Sequence, residues 1–143
     1  FVCKDNRHKA IKAHYNDTYD LLVNSTEPYS GYTLLFPETE YIIEINADGP
    51  WDIEIYNIGS ASNDKFSGIG DWVSPIFISS SDVYEIIAEG GGHFAVKGYY
   101  GYGDYDLLVN TTDSYTGKVM FKQKGEYCFF EIRGERNWPL QPK

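Results

Sequence analysis

The sequence predicts an all-β protein made of tandem, duplicated antiparallel β-sandwich repeats, with the first copy lacking its N-terminal strand or strands. Three observations carry this expectation: short runs of alternating apolar and polar residues, turn signals at close intervals between them, and a long match of the chain to itself at a shift of about 86 residues.

Alternation is clearest where Tyr41, Ile43 and Ile45 flank Glu44, and where Trp51, Ile53 and Ile55 flank Asp52 and Glu54. Successive strand side chains point to opposite faces, so each run sets one face on a core and the other in water. No long stretch keeps apolar residues at a 3.6 period, and the Tyr, Ile, Val, Phe and Thr content favours a pleated, half-buried surface. Turn signals separate the runs at Asn24–Ser25–Thr26, Asn46–Pro50, Gly90–Gly92 and Gly101–Asp104. These are residues that tolerate positive φ or close a turn through their own side chains.

The repeat is read from Tyr19–Asn24 lying on Tyr105–Asn110, both Tyr-Asp-Leu-Leu-Val-Asn. The match continues through Thr26 and Thr112, Tyr29 and Tyr115, and Gly31 and Gly117. Nine of the thirteen positions from Tyr19 to Gly31 are identical. With one residue of slippage His8–Lys12 falls on His93–Lys97, Glu40–Tyr41 falls on Glu126–Tyr127, and after a further slip Trp51 meets Trp138. The expected division is therefore residues 1–60 and 61–143, with Gly59–Asp64 as a linker.

The stretch Phe66–Glu85, which holds Gly68–Trp72 and Val83–Tyr84, has no counterpart before Phe1. A copy missing those strands leaves sheet edges unpaired. Three remedies stand open: chain upstream of Phe1, packing of the two copies into one body, or strand exchange with a neighbouring chain. The second copy departs at its end, where Arg133–Pro139 replaces the Asp-Gly-Pro-Trp turn of the first, so its final strand is expected to be short or irregular.

The order Gly-x-Gly-Asp, Val-Tyr, Phe-x-Val-Lys, Leu-Leu-Val-Asn, Tyr-x-Gly, Tyr-x-x-Glu and Asn-Ala-Asp-Gly-Pro-Trp-x-Ile-x-Ile resembles a small β-sandwich repeat of secreted proteins and lipoproteins of Gram-positive bacteria, mostly of unknown function. Residues Gly68–Trp138 cover nearly the whole pattern and His8–Ile55 its later part. The resemblance implies a fold and an extracellular or cell-surface address, and no active site. The chain begins at Phe1 rather than Met, as a processed protein would.

The net charge of −9, from 21 acidic and 12 basic residues, argues against nucleic acid and anionic membrane partners. No apolar run approaches a membrane-spanning length. Cys3 and Cys128 have neither Cys-x-x-Cys spacing nor zinc-site clustering, and the sequence leaves a disulfide between them open.

Of the three histidines, His8 and His93 occupy the same repeat position, which suits either a duplicated site or a polar strand end. Asp52 with Glu54 and Glu38 with Glu40 pair carboxylates without distinguishing themselves from solvated faces. Asp104 and Asp106, with Thr18 and Asp20 as counterparts, would suit calcium, but no calcium-loop spacing is present. Sequons at Asn16, Asn24 and Asn110 also suit turn-capping.

The stretch with the composition of a recognition loop is Tyr99–Tyr105, rich in Tyr and Gly. Its freest residues are expected to be Tyr99, Tyr100 and Tyr102, joined by Asp104 and by Trp72, the one Trp expected to be exposed. Tyr19, Tyr105, Trp51 and Trp138 are expected in the core. No catalytic or cofactor motif is present. The expected role is a non-catalytic spacer or adhesion unit that contacts a surface protein, with a carbohydrate-binding module built on the 99–105 loop as the alternative.

Overall fold

The computed structural model describes residues 1–36 and 40–143; Glu38, one of the paired carboxylates, lies outside the described residues. The protein is all-β, and the chain divides into two compact units, Phe1–Ile55 and Tyr56–Lys143.

Unit 1 holds β1 (Val2–Cys3), β2 (Lys9–Tyr15), β3 (Thr18–Ser25), β4 (Tyr29–Ser30), β5 (Ile42–Ala47) and β6 (Trp51–Asp52). They form two antiparallel sheets in the orders β4-β1-β6 and β3-β2-β5. Ile11, Ala13, Leu22, Val23 and Tyr29 make its buried cluster, edged by Phe1, Leu35, Tyr41, Ile43 and Ile45.

Unit 2 holds β7 (Phe66–Ile69), β8 (Trp72–Val73), β9 (Phe77–Ile78), β10 (Val83–Ala88), β11 (Phe94–Tyr100), β12 (Asp104–Thr111), β13 (Tyr115–Met120), β14 (Tyr127–Arg133) and β15 (Asn137–Pro142). One sheet runs β13-β10-β15-β7; the other runs β12-β11-β14-β8, with β9 also on β14. Inward residues of both sheets, among them Tyr84, Ile86, Trp138 and Leu140 from one and Phe94, Val96, Phe130 and Ile132 from the other, meet in a single buried cluster. A core shared by two sheet faces is the packing of a β-sandwich.

The pairings of unit 1 recur in unit 2. β2 sits between β3 and β5 as β11 sits between β12 and β14, and β1 between β4 and β6 as β10 between β13 and β15. A bulge falls at the same place in both, between Ile11 and Lys12 and between Val96 and Lys97. Even the packing exchanges in step. Where unit 2 sets Gly98 under the Phe121 ring, with room for no Cβ (2.6 Å to the ring), unit 1 has Ala13 and the smaller Leu35.

Three expectations change at this level. The expected linker is partly docked on unit 2: Ser60 bridges Ile76, Ala61 N donates to Ile76 O (2.8 Å), and Asp64 is buried. The first copy's last strand, expected to run through Ile55, stops at Asp52 because the neighbouring β1 has only two residues to pair with it. The second copy's last strand, expected to be irregular, is instead six residues long, since β10 and β7 hold it from both sides.

Candidate functional site

The 99–105 segment is the β11–β12 hairpin, turned by Gly101 and Gly103 at φ of 59° and 104°. Tyr99 is 5% exposed, stacked on Phe129 (4.8 Å between centroids) and leaning on Tyr105 (5.3 Å). Tyr100 packs against the core, and its hydroxyl reaches Asp106 at 3.4 Å. Tyr102 stands fully in solvent at the tip, and Asp104 is exposed beside it.

Trp72, expected to be exposed, is half-buried. It pairs with Ile132, so it faces the core side of the sheet, where its ring lies 5.2 Å from Trp138 and 5.3 Å from Phe66. Tyr99 and Tyr105 face the opposite side. Tyr99 therefore lies on one face of the sheet, Tyr100 and Trp72 on the other, and Tyr102 at the hairpin tip with Asp104 next to it, so the five sequence-predicted residues do not converge on one surface.

Tyr19 and Tyr105, expected in the core, are each half-exposed, and the outer face they stand on holds a constellation that the sequence reading missed. On unit 2, Lys97 Nζ lies 4.8 Å from the Tyr105 ring centroid and 3.8 Å from Glu131, and Leu107 lies opposite Lys97, 52% exposed. On unit 1, Lys12 Nζ lies 4.8 Å from the Tyr19 ring, opposite Leu21, which is 45% exposed, and Glu44. Each unit thus presents the same outward set of Lys, Tyr, Leu and Glu. Burial pushes the Glu131 carboxyl up from its ordinary range, while hydrogen bonds from His14 and Asn46 hold Glu44 below it.

The duplicated histidine has a structural partner. His8 Nε2 meets Asn24 Oδ1 at 2.8 Å and His93 Nε2 meets Asn110 Oδ1 at 2.9 Å, tying the start of one strand to the end of its neighbour and engaging two of the sequon asparagines.

At that same end of each unit a cage of main-chain carbonyls closes on a buried cation. Lys9, 1% exposed, donates to Asp5 O (2.8 Å), Arg7 O (2.8 Å) and Glu27 O (2.7 Å). Phe94 replaces Lys9 in unit 2, and Arg136, arriving from β14–β15 across the Phe94 ring, donates to Ala88 O, Gly92 O and Asp113 O (2.8 Å). Arg7 and Gly92 are repeat counterparts, as are Glu27 and Asp113. The two units fill equivalent cages from different strands.

Asp64 anchors a second buried network, accepting from Tyr84 Oη (2.6 Å) and from Ser80 N and Oγ (both 2.8 Å). Burial raises its pKa, but these donors outweigh that and leave it lowered. Cys128 is pushed up to about 12 by burial and by the Asp64 charge; both cysteines are buried and unbridged.

At the β2–β3 hairpin, whose turn holds Asn16 and Asp17 at φ of 45° and 62°, an open groove of about 740 Å³ runs between His14, Tyr15, Tyr19 and Tyr41. Among the described residues no group of three or more His, Cys, Asp or Glu side chains is placed to hold a metal ion. Among the same residues no helix is long and apolar enough to cross a membrane.

No known protein family, curated protein or solved structure matches the chain.

Proposed function

We propose that the chain carries two copies of one antiparallel β-sandwich repeat, the first short of its N-terminal strands. On this reading it serves as a non-catalytic extracellular module of a bacterial secreted or surface protein, a spacer or adhesion unit that contacts another protein. The observation that carries the functional part is the repeated outward set, Lys12, Tyr19, Leu21 and Glu44 with Lys97, Tyr105, Leu107 and Glu131. Packing dictates little at Tyr19, Leu21, Tyr105 and Leu107, which are each about half-exposed, yet their identities agree between the copies and the Lys and Glu beside them agree as well, including an apolar Leu that solvent disfavours. A contact surface used twice accounts for that agreement. The extracellular address rests on the motif resemblance read from the sequence, and on that alone.

The test is binding of the full chain to purified cell-surface and extracellular-matrix proteins, compared with the variant Tyr19→Ser, Leu21→Ser, Tyr105→Ser, Leu107→Ser. A protein ligand whose affinity falls at least tenfold supports the reading, since exposed Tyr anchors carry interface energy on that scale. Binding indifferent to all four substitutions contradicts it.

Carbohydrate binding is the second reading, favoured by exposed Tyr102 on its glycine-flanked turn and by the tyrosine-lined groove at the equivalent hairpin of unit 1. A polysaccharide hit abolished by Tyr102→Ala, or by Tyr19→Ala, would establish it in place of the first.

A further inference from the structure

The groove at the unit 1 hairpin has a local cause. In unit 2 the cross-strand pair Tyr99 and Phe129 fills the outer face beside the hairpin, the two rings stacked 4.8 Å apart and 4° from parallel. The pair at the same register in unit 1 is His14 and Ile42, and neither covers that ground. His14 turns to Glu44 Oε2 (2.7 Å), and Ile42 is 75% exposed. Here β2 is paired on both sides, with Thr18 and Tyr19 on one and Ile42 on the other, so the groove owes nothing to a missing strand.

Its aromatic walls are held in place. Tyr15 and Tyr41 meet edge to face at 5.4 Å; Tyr15 Oη donates to Asp20 Oδ1 (3.2 Å) and Tyr41 Oη to Phe36 O (2.9 Å). Lys12 Nζ takes a face of the Tyr19 ring at 4.8 Å, which leaves the stacking surface to Tyr15 and Tyr41. The charge of the lining is one-sided. Asp17 and Glu40 stand on it with no hydrogen bond or ion pair to any of the described residues. No Lys or Arg is among the lining residues, and the one basic group there, His14, is committed to Glu44. Asp17 also occupies the two-residue turn at φ of 62°, a conformation that glycine adopts without steric cost, so a carboxylate stands where turn chemistry favours no side chain at all.

We propose that this groove binds a polysaccharide whose sugars carry free amino groups, such as a glucosamine chain without its N-acetyl groups. The proposal deepens the carbohydrate reading and rests on it. Sugar rings present their C–H faces to Tyr15 and Tyr41, while the ammonium groups reach the Asp17 and Glu40 carboxylates in charge-assisted hydrogen bonds. An open volume of about 740 Å³ is in the range of sites that hold small ligands and lets a longer chain pass through. The hydroxyls of a neutral sugar would leave the charge of both carboxylates unanswered, and an anionic sugar would be repelled by them.

The experiment titrates the glucosamine hexamer, its fully N-acetylated counterpart and a lysine hexapeptide onto the full chain in mildly acidic buffer, where the sugar amines are protonated. Isoleucine methyl groups are carbon-13 labelled, and Ile42→Val assigns the signal that reports on the groove. The expected result is saturable binding of the amino hexamer that shifts the Ile42 signal, at least tenfold tighter than either of the other two probes. In the double variant Asp17→Asn, Glu40→Gln, which keeps the shape of both side chains, that affinity should fall at least tenfold. An N-acetylated hexamer that shifts Ile42 at equal affinity overturns the proposal and leaves the carbohydrate reading standing. Silence of Ile42 toward both hexamers overturns the proposal and the carbohydrate reading of this groove together. A lysine hexapeptide that binds as tightly, or amino-hexamer binding indifferent to the double variant, means only that a cation is drawn to an acidic chain, and overturns the proposal.

Discussion

Replacing Lys9 by Met should destabilise unit 1 selectively. The Lys9 ammonium is 1% exposed and spends its three protons on three main-chain carbonyls at 2.7 to 2.8 Å. Met keeps the stem's length and apolar packing but leaves Asp5 O, Arg7 O and Glu27 O without that donor. A buried acceptor left unsatisfied costs about 1 to 3 kcal/mol. Loss of the charge returns part of this, because the ammonium no longer has to be desolvated. A net loss of about 3 kcal/mol follows, a large share of what so small a unit can hold. The assay is urea denaturation of the full chain followed by segment-resolved amide exchange, where a loss of that size lowers the unit 1 midpoint by about 1 to 3 M. Arg136→Met is the paired control: it should weaken unit 2 and leave unit 1 where it was. A Lys9→Met unit 1 whose unfolding free energy stays within about 0.5 kcal/mol of the parent would refute the reasoning that the cage is held by its cation.

Trp138→Ala should cost unit 2 about 3 to 5 kcal/mol as a core cavity. Trp51→Ala should cost unit 1 less than about half of that, because 42% of its surface is already in water; calorimetry of both variants checks the contrast. Gly98→Ala should destabilise unit 2 by about 1 to 3 kcal/mol through overpacking against Phe121, measurable in the same scans. Acid should weaken unit 2 through Asp64: its folded pKa lies below its ordinary 3.8, so its contribution is complete above that value and is lost as pH falls through the lower, folded one. Asp64→Asn should remove that part of the acid dependence, read from denaturation midpoints between pH 5 and 2. Glu131 runs the other way, its raised pKa favouring the fold at lower pH and withdrawing that advantage as pH rises through it.

The strands and turns were legible in the sequence because alternation and turn chemistry are local. The strand at Tyr41–Ile45 and the start of one at Trp51 needed no distant information, whereas the end of the latter at Asp52 was set by the short β1 beside it. Burial was less legible, because distant strands decide it. Trp51 and Trp138 carry the same local pattern, and only the 66–78 segment, far away in the chain, makes one core and leaves the other half in water. Trp72 was misread for the same reason, since its neighbours Gly70 and Asp71 suggest an exposed turn while its ring closes over Trp138. Asp64 hid in a polar, linker-like run, and nothing local announces that Tyr84 and Ser80 await it. The cage cation moved between Lys9 and Arg136, so no aligned position records it. The outward Lys-Tyr-Leu-Glu set had a signal, two of its members sitting in the repeated Tyr-Asp-Leu-Leu-Val-Asn, but the bulge at Leu22 and Leu108 breaks the alternation that would have told inside from outside.

The contrast between the half-exposed Trp51 core of unit 1 and the fully buried Trp138 core of unit 2 is tested most directly with the two native thiols, one in each unit and both buried. Under native conditions at neutral pH, with the labelling reagent in excess, the rate at each cysteine reports how often its unit opens. The account predicts that Cys3 is modified at least a hundredfold faster than Cys128, as mass spectrometry of the two tryptic peptides would record. Equal rates, or a faster Cys128, would contradict it.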